Sequence, residues 1–229
     1  MTSHQPLLPQ EDKNIYSEGI DYALTGGKSI WGTEDQLTMD ALERTDIHGR
    51  WLNLCAGDGR FNDLLLKKAD QVVVSDIDPG ALEKLQRITP QELRSKLTLQ
   101  TCNVTEPLPF TDVFFDGIFC TGTLHLFPRP VFLKIRNELD RILKPGGVMI
   151  LDFATDIRRE RPDGSLYTVQ GEPLYTLAEA QAFLKDCFSD FLTEIQTETV
   201  EPEEVRVRDE SYMFSSNFIL LVAKKQLAV

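Results

Sequence analysis

The residues best suited to chemistry in this chain form one short run, Trp51-Leu52-Asn53-Leu54-Cys55-Ala56-Gly57-Asp58-Gly59-Arg60-Phe61. It begins as an apolar strand and ends in a Gly-x-Gly turn. Glycine there adopts backbone angles that a side chain forbids, and it lets a bound molecule touch the main chain. Between the first strand and first helix of a parallel sheet, such a turn holds a nucleotide-like ligand. A dinucleotide fingerprint requires a third glycine, and Asn62 stands in its place. A P-loop requires Gly-Lys-Ser or Gly-Lys-Thr after the glycines, and Arg60-Phe61 does not supply it. Gly27-Lys28-Ser29 lacks the earlier glycine and follows no strand. A nucleoside without phosphates fits best.

The next apolar run, Val72-Val73-Val74-Ser75, ends in Asp76-Ile77-Asp78-Pro79. Asp76 follows Gly59 by 76 − 59 = 17 residues, near the spacing of about 20 at which an acid reaches a ribose. Its carboxylate can accept from both ribose hydroxyls; the alternative is a plain turn residue. Asp78 is placed as a helix N-cap, with Pro79 in the first helical position.

These residues need a scaffold, and the chain alternates. Strands are predicted near 51–55, 71–75, 97–101, 113–120 and 147–153, and helices near 60–69, 79–88, 130–143 and 176–187. Capping boxes read at Thr33–Gln36, Thr89–Glu92 and Thr176–Glu179. Alternation of this kind makes a parallel sheet with helices on both faces. The end departs from it. Residues 191–200 and 213–224 read as two strands around an acidic turn, Glu201-Pro-Glu-Glu204, which makes an antiparallel hairpin. Residues 1–32 read as an N-terminal arm and lid, 33–229 as the domain, and about 156–175 as a flap insertion.

In order along the chain, the segments at 53–60, 72–82, 102–110, 115–125 and 139–152 resemble the motifs of class I S-adenosylmethionine-dependent methyltransferases. The resemblance covers about residues 50 to 153 and implies a Rossmann-like, doubly wound α/β sheet of seven strands. Its implied order is 3-2-1-4-5-7-6, with strand 7 antiparallel. It implies S-adenosylmethionine as cofactor, with S-adenosylhomocysteine as product. The backbone of Ala56, Gly57 and Gly59 should lie under the methionine and sugar, Asp76 on the ribose, and Ile77 on the adenine face. Asn103 and Val104 should read the adenine edge, and Thr121 should line the site. The family carries an acid where Asn53 stands, and often one where Asn103 stands. Asn53 therefore lacks a charge that would favour the cofactor's ammonium group. Tyr16, Tyr22 and Trp31 are candidates for an aromatic lid, or for ordinary packing of an N-terminal helix.

A sulfonium is already an activated methyl donor, so orientation does most of the work. A base is needed only where the acceptor must lose a proton. His125 is the candidate, with packing on the sheet as the alternative; Asp152 and Asp156 are weaker ones. Arg158, Arg159 and Arg161 lie where the fold places acceptor-binding elements and suit an anionic small molecule, or form a solvated loop.

The balance of 24 basic to 36 acidic residues gives −12, which disfavours nucleic acid as partner because such affinity comes largely from Lys and Arg. Cys55, Cys102, Cys120 and Cys187 are scattered, implying a reducing, cytoplasmic setting and no structural metal. No signal peptide or membrane span is read. The leading expectation is methyl transfer to a small molecule. A non-catalytic cofactor-binding module, an oxidoreductase, and methylation of protein or RNA are the rivals. The acceptor, the atom methylated and the oligomeric state stay open.

Overall fold

The computed structural model describes residues 21–29, 35–168, 171–207 and 210–227. Helices join the parallel strands β1 (Arg50–Leu54), β2 (Gln71–Asp76), β3 (Leu97–Thr101), β4 (Phe115–Cys120) and β5 (Leu143–Glu160), except that a loop joins β3 to β4. The helices include α2 (Asn62–Lys68), α3 (Pro79–Ile88) and α4 (Arg129–Ile142); α1 (Gln36–Arg44) precedes β1 and α5 (Leu177–Cys187) follows β5. The chain closes with β6 (Phe191–Val207) and β7 (Glu210–Lys225). The sheet order is β3-β2-β1-β4-β5-β7-β6, and β7 runs antiparallel to both neighbours. This is the expected order, with its switch between β1 and β4.

Alternate residues of each strand feed two cores. Trp51, Val72, Val74, Phe119 and Ile150 pack with α1, α2 and α3. Leu52, Leu54, Ile118, Cys120, Leu151 and Phe153 pack with α4 and α5. The helix starts follow local chemistry. Asp78 caps α3 by accepting from the Gly80 amide at 2.8 Å, with Pro79 behind it. Thr176 and Glu179 close the capping box of α5.

Several boundaries differ from the sequence reading. The α1 cap is Asp35, whose carboxylate accepts from the Thr38 amide at 3.0 Å; Thr33 lies outside the described residues. A short 3-10 helix, Gln91–Lys96, does follow, but Thr89 does not cap it: its hydroxyl donates to the Leu85 carbonyl at 2.7 Å, closing α3. The hairpin is longer than predicted. Glu201–Glu204 are strand, not turn, with a register shift between Val200 and Glu203. A bulge absorbs Pro202, which as an edge residue need not donate to the ladder. Nor does β5 stop at 153; it continues to Glu160 paired with β7. The insertion beyond it is tied down: Tyr167 N donates to Arg159 O at 2.8 Å, and the Tyr175 hydroxyl to Phe127 O at 3.0 Å. No described helix is long and apolar enough to cross a membrane.

Candidate functional site

The loop from Cys55 to Phe61 joins β1 to α2 at the carboxyl edge of the sheet. Cys55, Gly57 and Gly59 all have left-handed backbone, with φ of 53°, 52° and 87°. The chain thereby folds back on itself, with Gly59 N donating to Ala56 O at 2.9 Å and Ala56 N to Ser75 O at 3.0 Å. At Gly59 a second constraint operates: an added Cβ would sit 2.6 Å from Leu85 Cδ1. Here the missing side chain leaves room for α3, where the sequence reading assigned that room to a ligand.

Asp76 ends β2 and holds this loop. Its Oδ2 accepts from Gly57 N at 2.7 Å and its Oδ1 from Asp78 N at 2.9 Å. Burial pushes the carboxyl above its ordinary range despite both bonds. Each carboxylate oxygen has a further lone pair, so ribose hydroxyls can still donate to it. Ile77 is half-buried beside it.

Asn53, 3% exposed, sits behind the loop, and its Nδ2 donates to Asn62 Oδ1 at 3.3 Å. Asn62 is the residue that displaces the third glycine, and the pair anchors the first turn of α2 to β1. Asn103 makes its own turn, Oδ1 accepting from Thr105 N at 3.0 Å and Thr105 Oγ1 at 2.9 Å. Val104 is buried in the core on the α4 side. Thr121 follows β4 half-buried, and its carbonyl accepts from Thr123 Oγ1 at 3.3 Å. Trp31 and Tyr16 lie outside the described residues, whereas Tyr22 is buried.

His125 lies in a short 3-10 turn, Leu124–Leu126, with its ring edge-on to Phe153 at 6.2 Å. It is 8% exposed, and its Nδ1 has no partner. Burial, with Arg159 adding to it, pushes its pKa down to about 3. So weak a base takes protons poorly at neutral pH. Arg158 and Arg159, at the end of β5, and Arg161 beyond it are all engaged within the protein. Arg159 makes a two-pronged pair with Glu172 at 2.7 and 2.9 Å. Arg158 pairs with Glu160, and Arg161 donates to Leu166 O at 3.3 Å. They give no support to an anionic acceptor.

One feature escaped the sequence reading, and a second was read there only as a weaker base candidate. Asp58, between the loop glycines, pairs with Lys84 of α3 at 2.7 Å, both side chains 0% exposed. Ser29 Oγ donates to the same carboxylate at 2.6 Å, so loop, helix and N-terminal segment meet there. The available signal was Lys84 itself, one position before Leu85 on the buried stripe of α3. The second is Asp152 of β5. It is 1% exposed, its Oδ1 accepts from Gly122 N at 2.7 Å, and its Oδ2 has no partner. The thiols at this edge are held protonated: burial pushes Cys102 up to about 11, and the Cys120 thiol with burial pushes Cys55 well up. Two open cavities, of about 440 and 280 Å³, lie at the opposite edge around Asp116 and Lys144. They take no part in this site.

Residues 52–147 match a family model described as a methyltransferase domain. In its sheet order and its Asp76–loop contact, the chain is similar to the class I S-adenosylmethionine-dependent methyltransferases. The chain is 38% identical over 61 residues to the "Probable methyltransferase ltbC" of Aspergillus luteorubrus, covering 26% of this chain and 21% of the relative. It is 38% identical over 80 residues to the "tRNA U34 carboxymethyltransferase" of Nautilia profundicola, covering 34% and 26%. The chain thus spans about a quarter or less of each of these relatives. The DhpI–SAH complex shares its fold, with TM-score 0.56, 18% identity, and 84% and 85% of the two chains covered.

Proposed function

We propose that this domain binds S-adenosylmethionine and passes its methyl group to a small-molecule acceptor. The observation that carries the reading is Asp76: one carboxylate fixes the glycine loop through Gly57 N and stands where a ribose would rest. The residues fit that nucleoside. Ala56, Gly57 and Gly59 present backbone, Asp76 accepts from hydroxyls, and Ile77 offers an apolar face to a base. Asn103 spends its carbonyl on its own turn and keeps its Nδ2 as a donor for the adenine edge. When bound, the sulfonium cofactor supplies a methyl group already activated for in-line displacement. The protein's task is then to orient the acceptor and exclude water. The DhpI–SAH complex, which shares this fold, supports the choice of cofactor.

The net charge of −12 supports a small acceptor over a nucleic acid, although one relative is named for a tRNA substrate. Calorimetry with S-adenosylmethionine, S-adenosylhomocysteine and NAD tests the cofactor: both sulfur nucleosides should bind and NAD should not. Labelled methyl transfer into a cell extract, followed by size fractionation, tests the acceptor. Label in the RNA or protein fraction alone would overturn the small-molecule reading.

A further inference from the structure

Two carboxylates stand in one row across the carboxyl edge of the sheet, and only Asp76 has a role so far. Ser75 pairs with Leu54, Asn53 with Phe119 and Cys120 with Leu151. Continuing this register, one residue beyond the first and last of these pairs and two beyond Asn53 and Phe119, the row reads Asp76, Cys55, Thr121, Asp152. Val72, Val74 and Ile150 belong to the core on the α1–α3 side, and alternation puts Asp76 and Asp152 on that same face. Three strand spacings of about 4.8 Å separate them, roughly 14 Å in all. The glycine loop and the β1–β4 switch lie between. A ligand whose ribose rests at Asp76 and which extends across the switch therefore ends at Asp152.

The state of Asp152 says what that end should carry. Its Oδ1 is fixed by the Gly122 amide, donated from a left-handed glycine with φ 71°. Its Oδ2 is buried and unpartnered, and a buried carboxyl oxygen left so is costly unless a ligand satisfies it. Asn53, a buried polar side chain on the same face beside the loop, is uncharged and already bonded to Asn62. The charged groups that act on Asp152 are Asp35 at the start of α1 and Arg60 at the start of α2. On β7, Leu220 stands beside it. The ammonium of an α-amino acid, flanking a carboxylate that a guanidinium can attract, matches this setting.

We propose that Asp152 is the carboxylate that receives the α-ammonium group at the amino-acid end of the bound sulfur nucleoside. It takes over the charge that Asn53 does not provide. This rests on the cofactor reading above, and it adds a residue of β5, outside the glycine loop, to the binding site. Burial holds the free carboxyl up to about 7, so the pairing is pH-dependent. Below that value Asp152 is neutral and attracts an ammonium weakly; above it the ion forms and binding tightens.

The test uses S-adenosylhomocysteine and 5′-methylthioadenosine, which keeps the nucleoside but lacks the amino-acid group. Calorimetry on wild type and Asp152→Asn, an isostere that can still accept from Gly122, should show S-adenosylhomocysteine weakened about 10–100-fold in the variant. Affinity for 5′-methylthioadenosine should stay unchanged. In wild type alone, S-adenosylhomocysteine should bind more tightly at pH 8 than at pH 6 and 5′-methylthioadenosine equally at both, which keeps the test independent of the variant's folding. Equal affinity of wild type and variant for S-adenosylhomocysteine, or equal losses for both ligands, would overturn the assignment. Failure of wild type to bind either nucleoside would instead overturn the cofactor reading, and this inference with it.

Discussion

Replacing Lys84 with Met should destabilise the domain severely and loosen the cofactor loop. Lys84 Nζ and Asp58 Oδ2 are 2.7 Å apart with both side chains at 0% exposure. Methionine preserves the length of the lysine stem, so the packing of α3 against the loop is largely kept. What changes is that the Asp58 carboxylate stays buried with its ammonium partner gone. Removing one member of a buried pair costs about 3–5 kcal/mol, because the remaining charge is uncompensated. For a domain of this size each kcal/mol moves the melting temperature by about 2–4 °C, so the fall should be roughly 6–20 °C. Urea unfolding of Lys84→Met, Asp58→Asn and the double variant measures it. The double variant carries neither charge and should lose less than the sum of the singles by about 1 kcal/mol or more. Since Asp58 lies between Gly57 and Gly59, affinity for S-adenosylhomocysteine should fall with it. A single-variant loss below about 1 kcal/mol, the scale of an exposed pair, would refute the buried arrangement.

Asp76→Ala should weaken S-adenosylhomocysteine by about 10–100-fold and also lower the melting temperature, since it releases the Gly57 and Asp78 amides; an unchanged dissociation constant would leave Asp76 a turn residue. Gly59→Ala should destabilise more than Gly122→Ala in thermal melts. Both glycines are left-handed, but only at Gly59 does the new Cβ meet Leu85, while space is open at Gly122; equal losses would contradict the contact. For His125 the sign is set by its depressed pKa. The unfolded imidazole binds a proton near 6.5 and the folded one only near 3, so stability is lost as the pH falls between those values. His125→Phe should flatten that acid limb, and superimposable curves would argue against a buried imidazole. Asp152 has the opposite sign, ordinary value 3.8 against about 7 in the fold. Its contribution is lost as the pH rises through that window, and Asp152→Asn should remove the slope.

Much of the architecture was legible because it rests on local rules. Val72–Ser75 is an apolar run ending in an acid, and Asp78-Pro79 is a helix start; each declares itself within a few residues. The errors fell where a distant strand outvotes local composition. Glu201–Glu204 looks like a turn, yet β7 supplies a hydrogen-bonding partner long enough to hold it extended at the sheet edge. The same strand carries β5 on to Glu160. Thr89 reads equally well as the start of one helix or the end of another, and only the nearby Leu85 carbonyl chose.

The sequence by itself determined the alternation of strands and helices, the glycine loop and the acid that follows it, and the family resemblance implied the order of the sheet. Strand and helix periodicity, turn residues and motif spacing are properties of neighbouring positions. Tertiary structure decided the electrostatics. Whether a charged side chain is solvated, paired or stranded depends on what other elements bring against it. Folding buries Lys84 against Asp58 across 26 positions, closes Arg159 onto Glu172, and leaves one oxygen of Asp152 unpartnered beside Gly122. Burial also makes His125 too weak a base for neutral pH. None of these follows from the residue types alone, because the energy of a charge is set by the water and partners that remain around it after the chain has folded.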